Sequence, residues 1–197
     1  SRNRRFALDC YRRLIHMFGD IVLGIPKKRF EELLNEHKAA HKIALDLEMT
    51  EKILEEVILA YRALIMKETS RDFPQDVREQ LSLAITAVFK SWNNPRAVTY
   101  RRLNHIPDDL GTAVNIQQMV FGNSGDKSGT GVGFTRNPAT GENVLYGEYL
   151  LNAQGEDVVA GIRTPAPLNE YSASEHNRDL LTLEKGMPGL YRELVSY

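Results

Sequence analysis

The chain has 197 residues, of which 42% are hydrophobic and 26% are charged, a balance typical of a folded globular protein. Its 25 Lys and Arg against 26 Asp and Glu give a net charge of −1, so no overall field favours nucleic acid or an anionic membrane as a partner. A single cysteine, Cys10, excludes an internal disulfide and a CxxC site, and the absence of any long apolar run favours a cytoplasmic setting, with a plastid or another organelle left open.

The first part of the chain is predicted to be a helical subdomain, residues 1–75. Apolar side chains recur almost all round a helix over residues 4–23, and a second helix is predicted from Lys27. Thr50 is a typical N-cap for a third helix, which carries an apolar stripe over four turns. Pro74 suits the first turn of a fourth helix.

Residues 76–110 are predicted to hold that fourth helix and a connecting segment. Beyond them glycines become frequent and β-branched residues alternate, so residues 111–197 are predicted to be β-rich, closed by a helix from about Pro188. The candidate strands are 112–121, 131–135, 144–151 and 157–163, with a turn at 137–141. The expected fold class is α+β, a helical subdomain followed by a small antiparallel sheet.

Both ends of the chain suggest a fragment of a longer protein. Ser1 stands where a natural chain begins with Met, and residues 190–197 form a helical pattern without a glycine or proline stop. We therefore expect the domain to be incomplete at both ends, with frayed natural termini as the alternative.

Residues 122–133 form the segment richest in glycine. Glycines let the backbone approach a ligand closely and turn N–H groups toward an anion, while Lys127, Ser128 and Thr130 add a cation and two hydroxyls. Phosphate binding is the functional interpretation, and a plain flexible hairpin loop is the alternative. The loop is not a Walker A motif, because Asp126 stands where a glycine should precede the lysine.

Polar groups near this loop extend the candidate site. Glu148 and Asn152 share one face of a predicted strand, and Glu156 and Asp157 follow in the next turn. Mg²⁺ bound with nucleotide phosphates needs only one or two carboxylates, although solvated or salt-bridged acids are the alternative. Arg136 is a candidate clamp for a phosphate or carboxylate.

The remaining reactive side chains predict no catalytic or metal centre. His37 and His41 have the helical spacing of two metal ligands, but no third ligand is evident, which favours a solvated helix face. Cys10 falls in a buried helical pattern, where an inert thiol is expected. No catalytic residue is assigned within the chain.

Several segments resemble one known family, and together they cover nearly the whole chain. The stretch 142–165, which includes the run from Tyr146-Gly-Glu-Tyr to Arg-Thr-Pro165, is highly specific, and it resembles the pyruvate, phosphate dikinase family. The other segments that resemble it are 11–13, 89–96, 111–122 and 128–142. Phosphoenolpyruvate synthases share only a looser outline.

The resemblance implies part of an ATP-grasp nucleotide-binding domain within a much larger enzyme. Enzymes of this family interconvert ATP, phosphate and pyruvate with AMP, pyrophosphate and phosphoenolpyruvate. They act through a phosphorylated histidine on a separate swinging domain, use Mg²⁺ and a monovalent cation, and are commonly homodimers. The resemblance places Ser128, Gly129, Thr130 and Gly131 at the ATP phosphates, with the amides of Thr130 and Gly131 on the terminal phosphoryl, and Arg13 near the nucleotide.

The resemblance also places Arg96 and Glu148 on the face where the phosphohistidine domain docks. We expect the chain to lack the family's cationic N-terminal segment, its later acidic strands and its phosphohistidine motif. Because phosphoryl transfer depends on positioning and on neutralising spread charge, the 197 residues alone are expected to be inactive, with weak or no ATP affinity. The alternatives are a phosphoenolpyruvate synthase-like phosphotransferase or a non-catalytic helical docking module.

Overall fold

The computed structural model describes residues 3–159, 161 and 163–197, which form two compact units. The first unit, Ser1–Gln117, contains the long described helices, and the second, Gln118–Tyr197, contains the described strands. The α+β class predicted from the sequence is confirmed. No helix in the described ranges is both long and apolar enough to span a membrane.

Three helices of the first unit pack around one hydrophobic core. Asn3 caps α1 by accepting a hydrogen bond from the amide of Phe6 at 3.0 Å, and Thr50 caps α3 as the sequence predicted, accepting from the amide of Ile53 at 3.4 Å. The helices of this unit are α1 (Arg4–Ile21), α2 (Lys27–Ala40), α3 (Glu51–Thr69), α4 (Val77–Ser91) and α5 (Pro95–Leu103). The largest side chains buried between α1, α2 and α3 include Ile15, Phe30, Leu54, Tyr61 and Ile65.

A charged network is buried beside this core. Arg12, 2% exposed, donates from Nε and Nη2 to Oδ1 of Asp9 at 3.0 and 2.7 Å, and from Nη2 to Oδ2 of Asp46 at 3.0 Å. Lys38 also donates to Asp46, at 2.9 Å. Burial acts to raise the pKa of the Asp46 carboxyl, but Arg12 and Lys38 outweigh it and hold the pKa below its usual value.

The helix that follows differs from its prediction. Pro74 lies outside α4, which begins at Val77 because Asp76 caps it by accepting hydrogen bonds from two amides of the first turn, at 2.7 and 3.1 Å. The large apolar side chains of this helix are mostly exposed, with Leu81 44% and Phe89 51% accessible.

Helix α5 is fixed to the end of α4 by one buried arginine. The Arg101 guanidinium lies 4.0 Å from the centroid of the Trp92 ring and donates to the Trp92 carbonyl at 2.5 Å and to Asp108 Oδ1 at 2.7 Å. The indole N–H of Trp92 donates to the Asp108 carbonyl at 3.1 Å, so these three residues form a closed cluster.

The second unit is built on an antiparallel sheet with strand order β1-β2-β3 among the described residues. The predicted strands 131–135 and 144–151 and the helix from Pro188 are confirmed. The elements of this unit are β1 (Gly129–Phe134), β2 (Tyr146–Leu151), α6 (Gly155–Val159), β3 (Ala166–Pro167), α7 (Leu183–Gly186) and α8 (Pro188–Val195).

Two of the predicted strands are wrong. Residues 112–121 are irregular and mostly exposed, because their alternating pattern finds no partner strand in the described structure. Residues 157–159, the start of the predicted strand 157–163, belong to α6, because Asp157 Oδ2 accepts a hydrogen bond from the amide of Gln154 at 2.8 Å and stabilises the first turn. Ala160 and Ile162, later in that predicted strand, lie outside the described residues.

Candidate functional site

The β1–β2 hairpin has one face without side chains on β1. Gly129 lies opposite Leu151, Gly131 opposite Tyr149, and Gly133 opposite Gly147. Directly opposed residues of an antiparallel pair share a face, so the three glycines line the same face of the sheet. Thr130, Val132 and Phe134 of β1 lie on the other face, together with Glu148 of β2.

The same three glycines carry amides that point away from β2. Gly147 donates its N–H to Ser172 Oγ at 2.9 Å, and its carbonyl accepts from the amide of Leu168 at 3.0 Å, so its backbone polar groups face away from β1. The Gly133–Gly147 pair is therefore not hydrogen-bonded, and by the alternation of antiparallel ladders neither are the pairs of Gly129 and Gly131. Their N–H groups point to the edge of β1 away from β2.

Thr130 has the opposite backbone orientation. It pairs with Leu150, in register with the hydrogen bond from the amide of Asn152 to the carbonyl of Ser128 at 2.8 Å. Its N–H is therefore directed into the ladder with β2 rather than toward the open edge. Of the two amides expected at a terminal phosphoryl group, the geometry therefore leaves that of Gly131 available, and the Thr130 side chain lies on the face opposite the glycines.

The loop before β1 is closed by Ser128. Its hydroxyl lies 2.8 Å from the carbonyl oxygen of Gly122 and 2.6 Å from that of Gly125, and it accepts from the Gly125 amide at 3.1 Å. The backbone of Gly122 is also enclosed, since a Cβ added there would lie 2.4 Å from the carbonyl oxygen of Ala153. The Ser128 hydroxyl therefore stabilises the loop, and the donors that remain for a ligand are the backbone N–H groups of Gly129 and Gly131.

A groove of about 570 Å³ runs along the glycine face. Its floor is the backbone of β1, and apolar side chains of α7 and α8 form one wall. Tyr149 also lines the groove, and its hydroxyl donates a hydrogen bond to the Leu181 carbonyl at 2.9 Å. Burial raises the pKa of Tyr149, which keeps this donor protonated. The principal residues of the groove are Lys127, Thr135, Leu168, Leu183, Met187, Leu190 and Leu194.

The other predicted polar residues of this unit have local partners. Arg136 Nη1 donates to the Gly141 carbonyl at 3.2 Å, within the turn predicted at 137–141. Asp157 is engaged at the start of α6, and Glu148 accepts from Asn177 at 3.2 Å. No group of three or more His, Cys, Asp or Glu side chains suited to a metal ion occurs in the described part of the chain.

Arg13, Arg96, His37 and His41 belong to the first unit. Arg13 is 8% exposed, and its Nε lies 3.3 Å from Asp9 Oδ2, whereas Arg96 is exposed in the first turn of α5. His37 Nδ1 lies 2.8 Å from the Leu33 carbonyl oxygen, and His41 Nε2 lies 2.9 Å from Glu56 Oε2. The hairpin residues Ser128, Gly129, Thr130 and Gly131 are the predicted ligand-binding residues that one element brings together.

Sequence reasoning missed three buried polar residues that support β2. Asn169, Ser172 and Asn177 are between 1% and 4% exposed. Ser172 accepts from Gly147, and its hydroxyl donates to Asn169 Oδ1 at 3.0 Å. The available signal was the Asn-x-x-Ser and Ser-x-x-Asn spacing between 169 and 177, which is typical of side chains that hydrogen-bond a nearby amide.

Matches to known proteins cover most of this chain. The family model "Pyruvate phosphate dikinase, AMP/ATP-binding domain" matches residues 72–185. The pyruvate, phosphate dikinase of Clostridium symbiosum is 48% identical over 194 residues, 98% of this chain and 21% of that protein. The chloroplastic pyruvate, phosphate dikinase of Flaveria pringlei is 52% identical over 191 residues, 97% of this chain and 19% of that protein. The pyruvate, phosphate dikinase of Giardia intestinalis is 59% identical over 170 residues, 85% of this chain and 19% of that protein.

The chain therefore spans about a fifth of the length of the curated relatives it matches. The family model covers more than half of the chain, and the relatives named above are 48% to 59% identical to it. The model and the relatives carry the same family name. The chain belongs to the pyruvate, phosphate dikinase family.

Proposed function

We propose that this chain forms part of the ATP-binding domain of a pyruvate, phosphate dikinase, with the phosphates bound at the start of β1. The supporting observation is that the N–H groups of Gly129 and Gly131 point to the edge of β1 away from β2, beside a side-chain-free face. Backbone N–H groups arranged in this way bind anions without the desolvation cost of a buried side-chain charge. Lys127 lies at the same end of the groove and supplies a cation.

The groove continues this proposed site toward α8. A volume of about 570 Å³ lies within the range of small-molecule pockets, and its apolar wall suits a purine base better than a second phosphate. Since β1 presents glycine backbone there, a flat ring can approach the strand closely.

The parent reaction is the conversion of ATP, phosphate and pyruvate to AMP, pyrophosphate and phosphoenolpyruvate through a phosphohistidine on another domain. In this proposal Mg²⁺ binds together with the nucleotide phosphates, for which one or two carboxylates suffice, and the parent enzyme also uses a monovalent cation. We propose that Arg96 and Glu148 each contact the phosphohistidine domain. The parent is a homodimer of the cytoplasm or of a plastid.

A groove-filling substitution tests the nucleotide site. A Cβ at Gly133 would meet nothing closer than the Leu168 side chain at 3.7 Å, so Gly133→Leu fills the groove without a backbone clash. The matched control is Val132→Leu, on the opposite face of the same strand. Both are made in a full-length chimera, the Clostridium symbiosum enzyme carrying this chain in place of its matched stretch.

We expect Gly133→Leu to raise the KM for ATP at least tenfold while Val132→Leu changes it less than about twofold. Equal KM values for the two variants would show that the groove does not hold the nucleotide. Isothermal titration of the 197-residue chain with MgATP tests the second part of the proposal, that this piece alone is inactive and binds ATP weakly or not at all. Micromolar affinity would contradict that part alone.

A further inference from the structure

The carboxylate of Glu148 is held by a single buried amide. Asn177 is 2% exposed, and its Nδ2 donates to Glu148 Oε1 at 3.2 Å and to the Pro165 carbonyl at 3.3 Å. Its Oδ1 accepts from the amide of Ser174 at 2.7 Å and from the hydroxyl of Ser174 at 3.0 Å. Two donors and two acceptor positions are all that an amide side chain offers, so Asn177 is fully engaged.

Glu148 has a hydrogen-bond partner at only one of its two carboxylate oxygens within the described residues. Its side chain is half-buried on the face of β2 that carries Thr130 and Val132 across the ladder. Within the described residues, Oε1 has the Asn177 partner and Oε2 accepts no hydrogen bond. A carboxylate with one oxygen anchored and the other open is already ordered for one incoming cation, so binding that cation costs little further side-chain entropy.

We propose that Asn177 is a positioning residue, which fixes Glu148 so that Oε2 meets a cationic side chain of the docking domain. The inference rests on the proposed docking role of Glu148 and adds the residue that orients it and the charge of the group that it meets. Asn177 reaches Glu148 from 29 positions further along the chain, so the contact is specific to the fold and does not follow from local sequence.

Asn169 provides a matched comparison in the same part of the unit. It is 4% exposed, and its Nδ2 donates to the Leu145 carbonyl at 2.8 Å and to the Tyr191 hydroxyl at 2.9 Å. Its Oδ1 accepts from the amide and the hydroxyl of Ser172, each at 3.0 Å. The two asparagines thus share burial and hydrogen-bond number, but only Asn177 touches Glu148 in the described structure.

Side-chain amide NMR of the full chain tests the contact without altering either asparagine. In Glu148→Gln the acceptor loses its charge, so the two Asn177 side-chain N–H signals are expected to shift while those of Asn169 stay in place. Asn177 signals that do not move, or equal shifts of both pairs, would overturn the proposed contact.

A double-mutant cycle in the full-length chimera tests the role. Asn177→Ser is expected to slow phosphoryl transfer from bound nucleotide to the histidine about tenfold, and Asn169→Ser less than about twofold. In the Glu148→Gln background Asn177→Ser is expected to have no further effect, because its target is gone. Unfolding of both serine variants in urea shows whether their stabilities match.

The outcomes separate the two proposals. A normal transfer rate in Glu148→Gln would refute the docking role of Glu148, and this inference with it. A slow Glu148→Gln variant combined with a full additional tenfold loss from Asn177→Ser would refute the positioning role alone. So would an Asn177→Ser variant no slower than Asn169→Ser.

Discussion

Replacing Gly122 with alanine should loosen the loop that leads into β1. Gly122 is buried, and an added Cβ would lie 2.4 Å from the Ala153 carbonyl oxygen and 2.5 Å from that of Gly129. Both obstructing atoms belong to the backbone, so neither can move aside as a flexible side chain can. The Gly122 carbonyl is also an acceptor for the amide of Ala153 at 2.9 Å and for the hydroxyl of Ser128 at 2.8 Å.

The expected cost follows from these contacts. Overpacking in an enclosed position costs about 1–3 kcal/mol. Two displaced hydrogen bonds cost about 1 kcal/mol each if they are lost. A total of about 3–5 kcal/mol, if both bonds are lost, corresponds to a rise of at least roughly a hundredfold in the equilibrium constant for local opening of the loop and hairpin.

Hydrogen exchange read by mass spectrometry is the suitable assay. The single tryptophan, Trp92, lies in the first unit, so its fluorescence does not report on the hairpin. Peptides that cover residues 122–134 and 146–153 should exchange faster in Gly122→Ala. The control is Gly155→Ala, where an added Cβ meets nothing within 4 Å. Equal protection in the two variants would refute the close-packing argument.

Three further predictions concern other side chains. Ser128→Ala removes the hydroxyl that closes the loop, so the same exchange assay should show a loss of about 1–2 kcal/mol in local stability. Asp46→Asn leaves Arg12 short of one carboxylate and should cost about 3 kcal/mol at neutral pH by urea unfolding. The pKa of Asp46 is lower in the folded than in the unfolded chain, so its contribution to the free energy of unfolding is present above the unfolded pKa and is lost as pH falls through the folded pKa. Asp46→Asn should therefore lose less stability than the parent chain between neutral pH and pH values below about 4. Arg101→Lys removes the planar stack on Trp92 and should cost about 1–2 kcal/mol and shift tryptophan emission to longer wavelength; unchanged emission would contradict the cluster.

The helices of the first unit were predictable because their signals are local. The apolar period and the Thr50 cap are both contained within a few turns of sequence, and both appear in the structure. The start of α4 was misplaced because Pro74 and Asp76 each mark a helix start, and the choice depends on which side chain reaches the free amides. Asp76 reaches them.

The strands depend on partners that are distant in sequence. Residues 112–121 and β1 both show period-two alternation, but β1 becomes a strand because β2 lies beside it. The same limit applies to the site. The glycines of β1 were identified from composition. The local spacing of Asn169 and Asn177 indicates only their bonds to nearby serines, whereas their support of the site depends on contacts across 22 to 29 positions of sequence.

The alternation of glycine with larger residues in β1 serves the proposed site in two ways at once. In an antiparallel edge strand, side-chain direction and amide direction both repeat every second residue, so every residue whose side chain faces the groove also points its N–H toward the open edge. Glycine at 129, 131 and 133 therefore leaves the groove free of β1 side chains, and the same three residues direct their N–H groups away from β2. The intervening residues have the opposite orientation: their N–H groups point toward β2 and their side chains lie on the face of Glu148. These residues are Thr130, Val132 and Phe134. A shift of one residue in register would reverse both properties together, filling the groove with side chains and turning the glycine amides into the ladder, so the register of the hairpin is the feature on which the proposed nucleotide site depends.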